Sequence, residues 1–271
     1  MSAKTSLLVL GESDSGKTHF GAQVLRRLSL SESHLKMDGA ATNLGPFEAT
    51  LNALSEGRPS EHTPASVYVE SAWPVKTDQG NAATLVWPDY GGEQLKNIIA
   101  DRRFPFAWRE RAIAADVWLL VIRLRQVRLD DDIFSKPLST LPAKSAEPRT
   151  IKPSDQSRLI ELLQMLLHLR VGAQALLPRL CILLSCWDEI SASQPQHLVH
   201  ERLPMFMSFV NAHWPKHKLF GLSSLGRALH KGQADEEYID KGPEAFGYVV
   251  TADGNQSDDL TLPLSEMINA E

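Results

Sequence analysis

The chain has 271 residues, 43% hydrophobic and 23% charged, with a formal net charge of −5. That composition suffices for a sizeable core, and the acidic balance, without a long basic run, argues against a nucleic-acid surface. No apolar run approaches the roughly 20 residues of a membrane span, and the first one is too short and wrongly flanked for a signal-peptide core, so a cytoplasmic protein without a membrane span is expected.

The elements follow in order. Ser6 to Leu10 is an unbroken apolar strand of the kind buried on both faces. Gly16 to Leu28 reads as a helix, and Pro46 to Leu54 as a short one, closed by Gly57, Pro59 and Pro64. Val67–Glu70 and Ala83–Trp87 read as strands of an antiparallel hairpin joined through a polar turn at 76–81. Helical material follows over 95–103 and 105–115, then a buried strand, Asp116 to Ile122. Residues 125–157 read as an extended insert rich in Pro, Ser, Lys and Asp. A helix starts near Ser154 and presents Leu159, Leu162, Leu163, Leu166 and Leu169 on one side. Leu180–Ser185 and Lys218–Ser223 are strands with a helix at 203–210 between them, and Leu260–Ala270 forms a closing helix. Cys181 and Cys186 lie five apart on one expected strand, on opposite faces, so they cannot pair, which suits a reducing compartment. Strands alternating with helices predict an α/β three-layer sandwich in one domain over 1–271. Its sheet is expected to be mostly parallel and six-stranded, with one antiparallel strand and the insert after the fourth strand.

Gly11 to Thr18, GESDSGKT, carries the chemistry. The pattern G-x-x-x-x-G-K-[ST] between a strand and a helix is a phosphate-binding loop: inward-turned backbone N–H groups and the helix N-terminus wrap a di- or triphosphate. Gly11, Ser13, Asp14, Ser15, Gly16, Lys17, Thr18 and His19 are the expected contacts, Lys17 on the β- and γ-phosphate oxygens and the Thr18 hydroxyl on Mg²⁺. Asp89-Tyr90-Gly91-Gly92, at a strand end some 70 residues on, is a D-x-x-G; Asp89 is placed to hold the metal through water and Gly92 N–H to bind a γ-phosphate. Ser185-Cys186-Trp187-Asp188 and Ser223-Ser224-Leu225 each follow a strand.

In this order the four segments resemble the motif set of the Ras-like (TRAFAC-class) P-loop GTPases, P-loop, D-x-x-G, [N/T/S]-K-x-D and S-A-[K/L], over nearly the whole chain. The resemblance implies GTP and GDP as ligands with Mg²⁺. It puts Asp188 on the guanine N1 and N2 donors, Ser224 N–H on the base, and Ser185, Cys186, Trp187, Ser223 and Leu225 around it. Thr63 is the candidate switch threonine over metal and γ-phosphate, with Thr42 and Thr50 as competitors. It also implies loops at 40–66 and 89–104 that change a partner surface, and an activating or effector protein. The segments 89–93, 221–226 and the tail from Phe246 to Leu264 look like the bacterial double-GTPase clade, inferred to work in multi-component GTPase-associated conflict systems; alternatively, the tail is a capping hairpin and helix.

The departures bear on mechanism. Cys186 stands where the base motif has Lys, and Ser185 where it has Asn, which softens guanine selectivity. Trp187 either stacks on the base or fills the core. Glu93 follows Gly92 where Ras-like enzymes carry the water-orienting glutamine, and Gln94 is one place further on. Catalysis therefore falls to Lys17, Glu93, Gln94 and Thr63, with slow intrinsic hydrolysis and an arginine supplied by a partner. A nucleotide-holding pseudo-GTPase and an ATP-using P-loop enzyme are the rival readings. Oligomeric state is not legible.

Overall fold

Strands that are apolar on both faces need helices on both faces, and the computed structural model, which describes residues 5–61, 68–128, 153–190 and 194–270, has that arrangement. The first half runs β1 (Thr5–Leu10), α1 (Lys17–Arg27), β2 (Leu35–Met37), α2 (Gly45–Ser55), β3 (Tyr68–Thr77), β4 (Ala82–Tyr90), α3 (Glu93–Asp101), α4 (Phe106–Ala114) and β5 (Val117–Ile122). The second runs α5 (Asp155–Gly172), β6 (Arg179–Ser185), α6 (Pro195–Arg202), α7 (Pro204–His213), β7 (Lys218–Ser223), α8 (Glu236–Lys241), β8 (Tyr248–Thr251), β9 (Gln256–Ser257) and α9 (Leu262–Asn269).

The sheet has nine strands in the order β2-β3-β4-β1-β5-β6-β7-β8-β9. This corrects the expectation of a six-stranded, mostly parallel sheet with one antiparallel strand: the sheet is mixed. Strands β4, β1, β5, β6 and β7 are mutually parallel, while β2, β3, β8 and β9 join through antiparallel pairings. The extra strands escape pattern reading because β2 has three residues and β9 two, too few for an alternation to register. The hairpin is as expected but longer, ten residues against nine, and the tail is a hairpin followed by a helix. With β2 counted, the segment expected as an insert follows the fifth strand. Only its ends, 125–128 and 153–157, lie among the described residues; there the Arg128 N–H donates to Asp155 Oδ2 at 2.7 Å, and Ser154 caps α5 by accepting from the Ser157 N–H.

Alternation along each central strand divides the core. Leu8, Leu10, Trp118, Leu120, Ile182 and Leu184 face the layer of α3 to α7, with the α5 stripe Leu159, Leu162, Leu163 and Leu166 buried against them. Leu7, Val9, Leu119, Cys181 and Leu183 face α1, α2, α8 and α9. Cys186 lies beyond the end of β6 with a left-handed φ of 52°, so it is not on the strand with Cys181; both are free thiols. The topology also sets the position of the site. From β1 the chain moves to β4 on one side and returns to β5 on the other, so the sheet reverses its order at β1. A crevice at the carboxyl ends of strands beside such a reversal is where open α/β sheets bind ligands. Gly11 to Thr18 starts there.

Candidate functional site

The P-loop leaves β1 and enters α1 through two left-handed residues, Asp14 (φ 60°) and Gly16 (φ 80°). A glycine takes that conformation without cost, an aspartate at a small one. Lys17 is buried, 8% exposed. Its ammonium donates to the Glu12 carbonyl at 2.8 Å, reaches Ser15 Oγ at 3.4 Å and lies 4.9 Å from the centre of the Tyr90 ring. The charge thus arches back over its own loop. Thr18 and His19 are half-buried and line the same cleft. His19 Nε2 accepts from the Ser60 N–H at 3.2 Å, tying the 59–61 segment to the cleft.

The D-x-x-G segment meets this loop at close quarters. Asp89 is the penultimate residue of β4, its backbone in register with Val69. The Tyr90 hydroxyl accepts from the Gly11 N–H at 3.0 Å and lies near the carbonyls of Val9 and Gly11, at 3.3 and 3.2 Å. Its ring packs edge-on against Trp108. A Cβ added at Gly92 would lie 1.9 Å from Ser13 N, so only glycine lets the start of α3 touch the P-loop backbone. Ser13 Oγ donates to Glu93 Oε1 at 2.6 Å. Gln94 points elsewhere, its side-chain carbonyl accepting from the Trp108 indole at 3.3 Å. Thr63 lies outside the described residues.

The other end of the cleft is built at the ends of β6 and β7. Ser223 is fully buried; its hydroxyl donates to Asp188 Oδ1 at 2.5 Å and accepts from the Gly226 N–H at 3.0 Å, holding the exposed Asp188 carboxylate beside the 224–226 loop. Trp187 is core: it is 3% exposed, and its ring lies on Gly221, where a Cβ would stand 2.6 Å from it. Ser185 lines the cleft, its buried hydroxyl beside the Cys186 thiol. Cys186 is half-buried; burial pushes its thiol up to about 11, opposed by the nearby Arg123 charge. Arg123 itself forks onto Glu189, with Nε 3.1 Å from Oε2 and Nη2 on Oε1, and donates from Nη1 to the Asp14 carbonyl at 3.2 Å. Those bonds to Glu189 raise the guanidinium pKa despite burial.

One cleft of about 710 Å³ joins these walls. It brings together Ser13 to His19, Gly92, Glu93, Ser185, Cys186, Asp188, Ser224 and Leu225, and leaves Trp187, Ser223 and Gln94 behind its surface. Sequence reading missed Arg123 and Tyr90. Arg123 belongs to no motif, and Tyr90 occupies a variable position inside one. The raised thiol pKa has a testable consequence. Cys186 is protonated at neutral pH, so alkylation by iodoacetamide should be slow and should accelerate by about tenfold per pH unit towards pH ~11, as the thiolate fraction does. It should precede labelling of fully buried Cys181 and be slowed by bound nucleotide. Peptide mass spectrometry reads each point.

Residues 8–267 match the family model Double-GTPase 1. The chain belongs to that family. This Double-GTPase 1 protein is accordingly a P-loop protein that binds GTP. No curated protein matches it. Among solved structures it is similar to the Arl6 (BBS3) small GTPase of Trypanosoma brucei with bound GppNp. There the identity is 14%, the TM-score 0.41, and the cover 90% of this chain and 99% of that one. It is also similar to the elongation factor SelB of Methanococcus maripaludis in complex with GppNHp. That identity is 12% and the TM-score 0.39, over 83% of this chain and 31% of SelB.

The donor set of the Double-GTPase 1 cleft suits a magnesium ion carried in on phosphates. Among the described residues no group of three or more His, Cys, Asp or Glu could hold a metal by itself. Mg²⁺ takes few protein ligands, often one or two, and fills its octahedron with water and phosphate oxygens. Thr18, which lines the cleft at the N-terminus of α1, carries a hydroxyl of the kind such an ion takes.

Proposed function

We propose that this protein is a guanine-nucleotide switch that hydrolyses GTP to GDP and phosphate. The observation that carries the proposal is the continuity of one cleft from Lys17 and Thr18 at one end to the Asp188–Ser223 pair at the other. Lys17 moves from the Glu12 carbonyl onto the β- and γ-phosphate oxygens, and the N–H groups of residues 13–18 neutralise the rest of the charge. Thr18 and Asp89 would hold Mg²⁺, which would supply positive charge against the phosphates. The Gly92 N–H, with Thr63 as the candidate switch threonine, senses the γ-phosphate. Its loss frees the 40–66 and 89–104 segments to change a partner surface.

Hydrolysis is expected to be slow without help. Gln94 is engaged by Trp108 and Glu93 by Ser13, so neither orients an attacking water as they stand. Glu93 also adds negative charge where a γ-phosphate would sit. These observations equally favour a pseudo-GTPase that holds nucleotide and barely turns it over. Multiple-turnover phosphate release, with and without candidate activating proteins, separates the two. We place the switch in the cytoplasm, controlling a partner protein within a bacterial multi-component GTPase-associated system, the setting that the resemblance to the double-GTPase clade implies.

The base end supplies the test against an ATP-using enzyme. Guanine offers two donors, N1–H and N2–H, to a carboxylate, and adenine does not. Asp188→Asn should therefore lower the GTP-over-ATP preference by at least about tenfold, ~1.4 kcal/mol, while leaving ATP affinity nearly unchanged. Calorimetry with GTP, GDP, ATP and ADP reads it. Equal wild-type affinity for GTP and ATP would overturn the guanine assignment.

A further inference from the structure

The base loop Ser185–Glu189 has no cation of its own, since Cys186 stands where related motifs carry lysine. A cation is present in the same space all the same. Strands β5 and β6 are parallel, with Ile122 in register with Leu184, so the first residue past β5, Arg123, comes up beside Ser185 and Cys186. Its side chain is 26% exposed and lines the cleft. It holds Glu189 at the end of the base loop with two bonds, and the Asp14 carbonyl at the bend of the P-loop with a third. Asp14 is left-handed, a conformation that costs an aspartate something and persists where neighbours fix it; the Arg123 bond acts on that residue.

We propose that Arg123 is a positioning residue that replaces the missing base-loop cation, clamping the P-loop to the base loop and setting the rate at which nucleotide leaves. The planar fork suits the task, because one guanidinium can hold a carboxylate in two bonds and still donate to a carbonyl. The inference rests on the nucleotide-binding reading above. The alternative is a half-buried ion pair that contributes only to the fold.

The experiment is release of a fluorescent GDP analogue from the full chain, followed after addition of excess GDP, with thermal melts in parallel. Arg123→Gln and Arg123→Ala should release the analogue about tenfold faster than wild type or more. Arg123→Lys should recover part of the loss, since an ammonium cannot fork onto Glu189 and reach Asp14 together. Cys186→Lys, added to Arg123→Gln, should slow release again by restoring a cation to the base loop. Release from Arg123→Gln within about twofold of wild type overturns the proposal. So does failure of Cys186→Lys to slow release in that background. A wild-type protein that holds no GDP would instead sink the nucleotide reading and would be seen before any variant was compared.

Discussion

Lys17→Ala is expected to lose at least about 100-fold in affinity for GTP and GDP, ~2.7 kcal/mol. The size follows from the chemistry. Hydrogen bonds involving a charged partner contribute about 1.5–3 kcal/mol each, and the Lys17 ammonium is the one P-loop group with a full positive charge to set against a phosphate chain. A lower local dielectric strengthens that attraction, and Lys17 is 8% exposed. The effect on the fold should be much smaller. The substitution removes the bond to the Glu12 carbonyl, while the loop keeps its Tyr90–Gly11 anchor and the Arg158–Glu12 ion pair. A loss of about 1 kcal/mol would lower Tm by about 2–4 °C in a chain of this size. Calorimetric titration with GTP and GDP, beside a melt, separates the two effects. A Lys17→Ala protein that melts like wild type and binds GTP as tightly would remove the basis for the proposed function.

Much of this was legible in the sequence, for reasons that differ from element to element. The P-loop was readable because its function demands residue types at fixed spacing. The central strands were readable because burial on both faces writes an unbroken apolar run, as at 117–122. The α5 stripe followed the helical period. What failed to show was set by contact across the sequence. Tyr90 matters because it reaches back 79 residues to Gly11, and no local pattern marks a tyrosine for that. Arg123 is defined by the register of β5 against β6. Gln94 looked like the displaced water-orienting residue, yet the Trp108 indole engages it. The short strands β2 and β9 owe their existence to neighbours rather than to their own composition.

Gly92 makes the second large expectation, and it tests the coupling between the two halves of the proposed phosphate site. Its φ of −61° is ordinary, so an alanine there is not excluded by backbone preference. It is excluded by space: the added methyl would lie 1.9 Å from Ser13 N, 2.3 Å from the Glu12 carbonyl carbon and 2.4 Å from Ser13 Cα. All three are backbone atoms, which cannot swing aside as a side-chain tip would. Gly92→Ala must therefore push the start of α3 away from the P-loop, at a cost of about 1–3 kcal/mol in stability as for other overpacked sites. The separation would break the Ser13–Glu93 bond and withdraw the residue 92 N–H from the γ-phosphate. GDP, which has no γ-phosphate, should bind to within about threefold of wild type, a difference of ~0.7 kcal/mol. Single-turnover GTP hydrolysis should fall by about tenfold or more, as for loss of one donor to developing charge. If instead hydrolysis were retained at the wild-type rate in a folded Gly92→Ala protein, the contact between Gly92 and Ser13 would be packing alone. The nucleotide-sensing role would then have to lie in another segment.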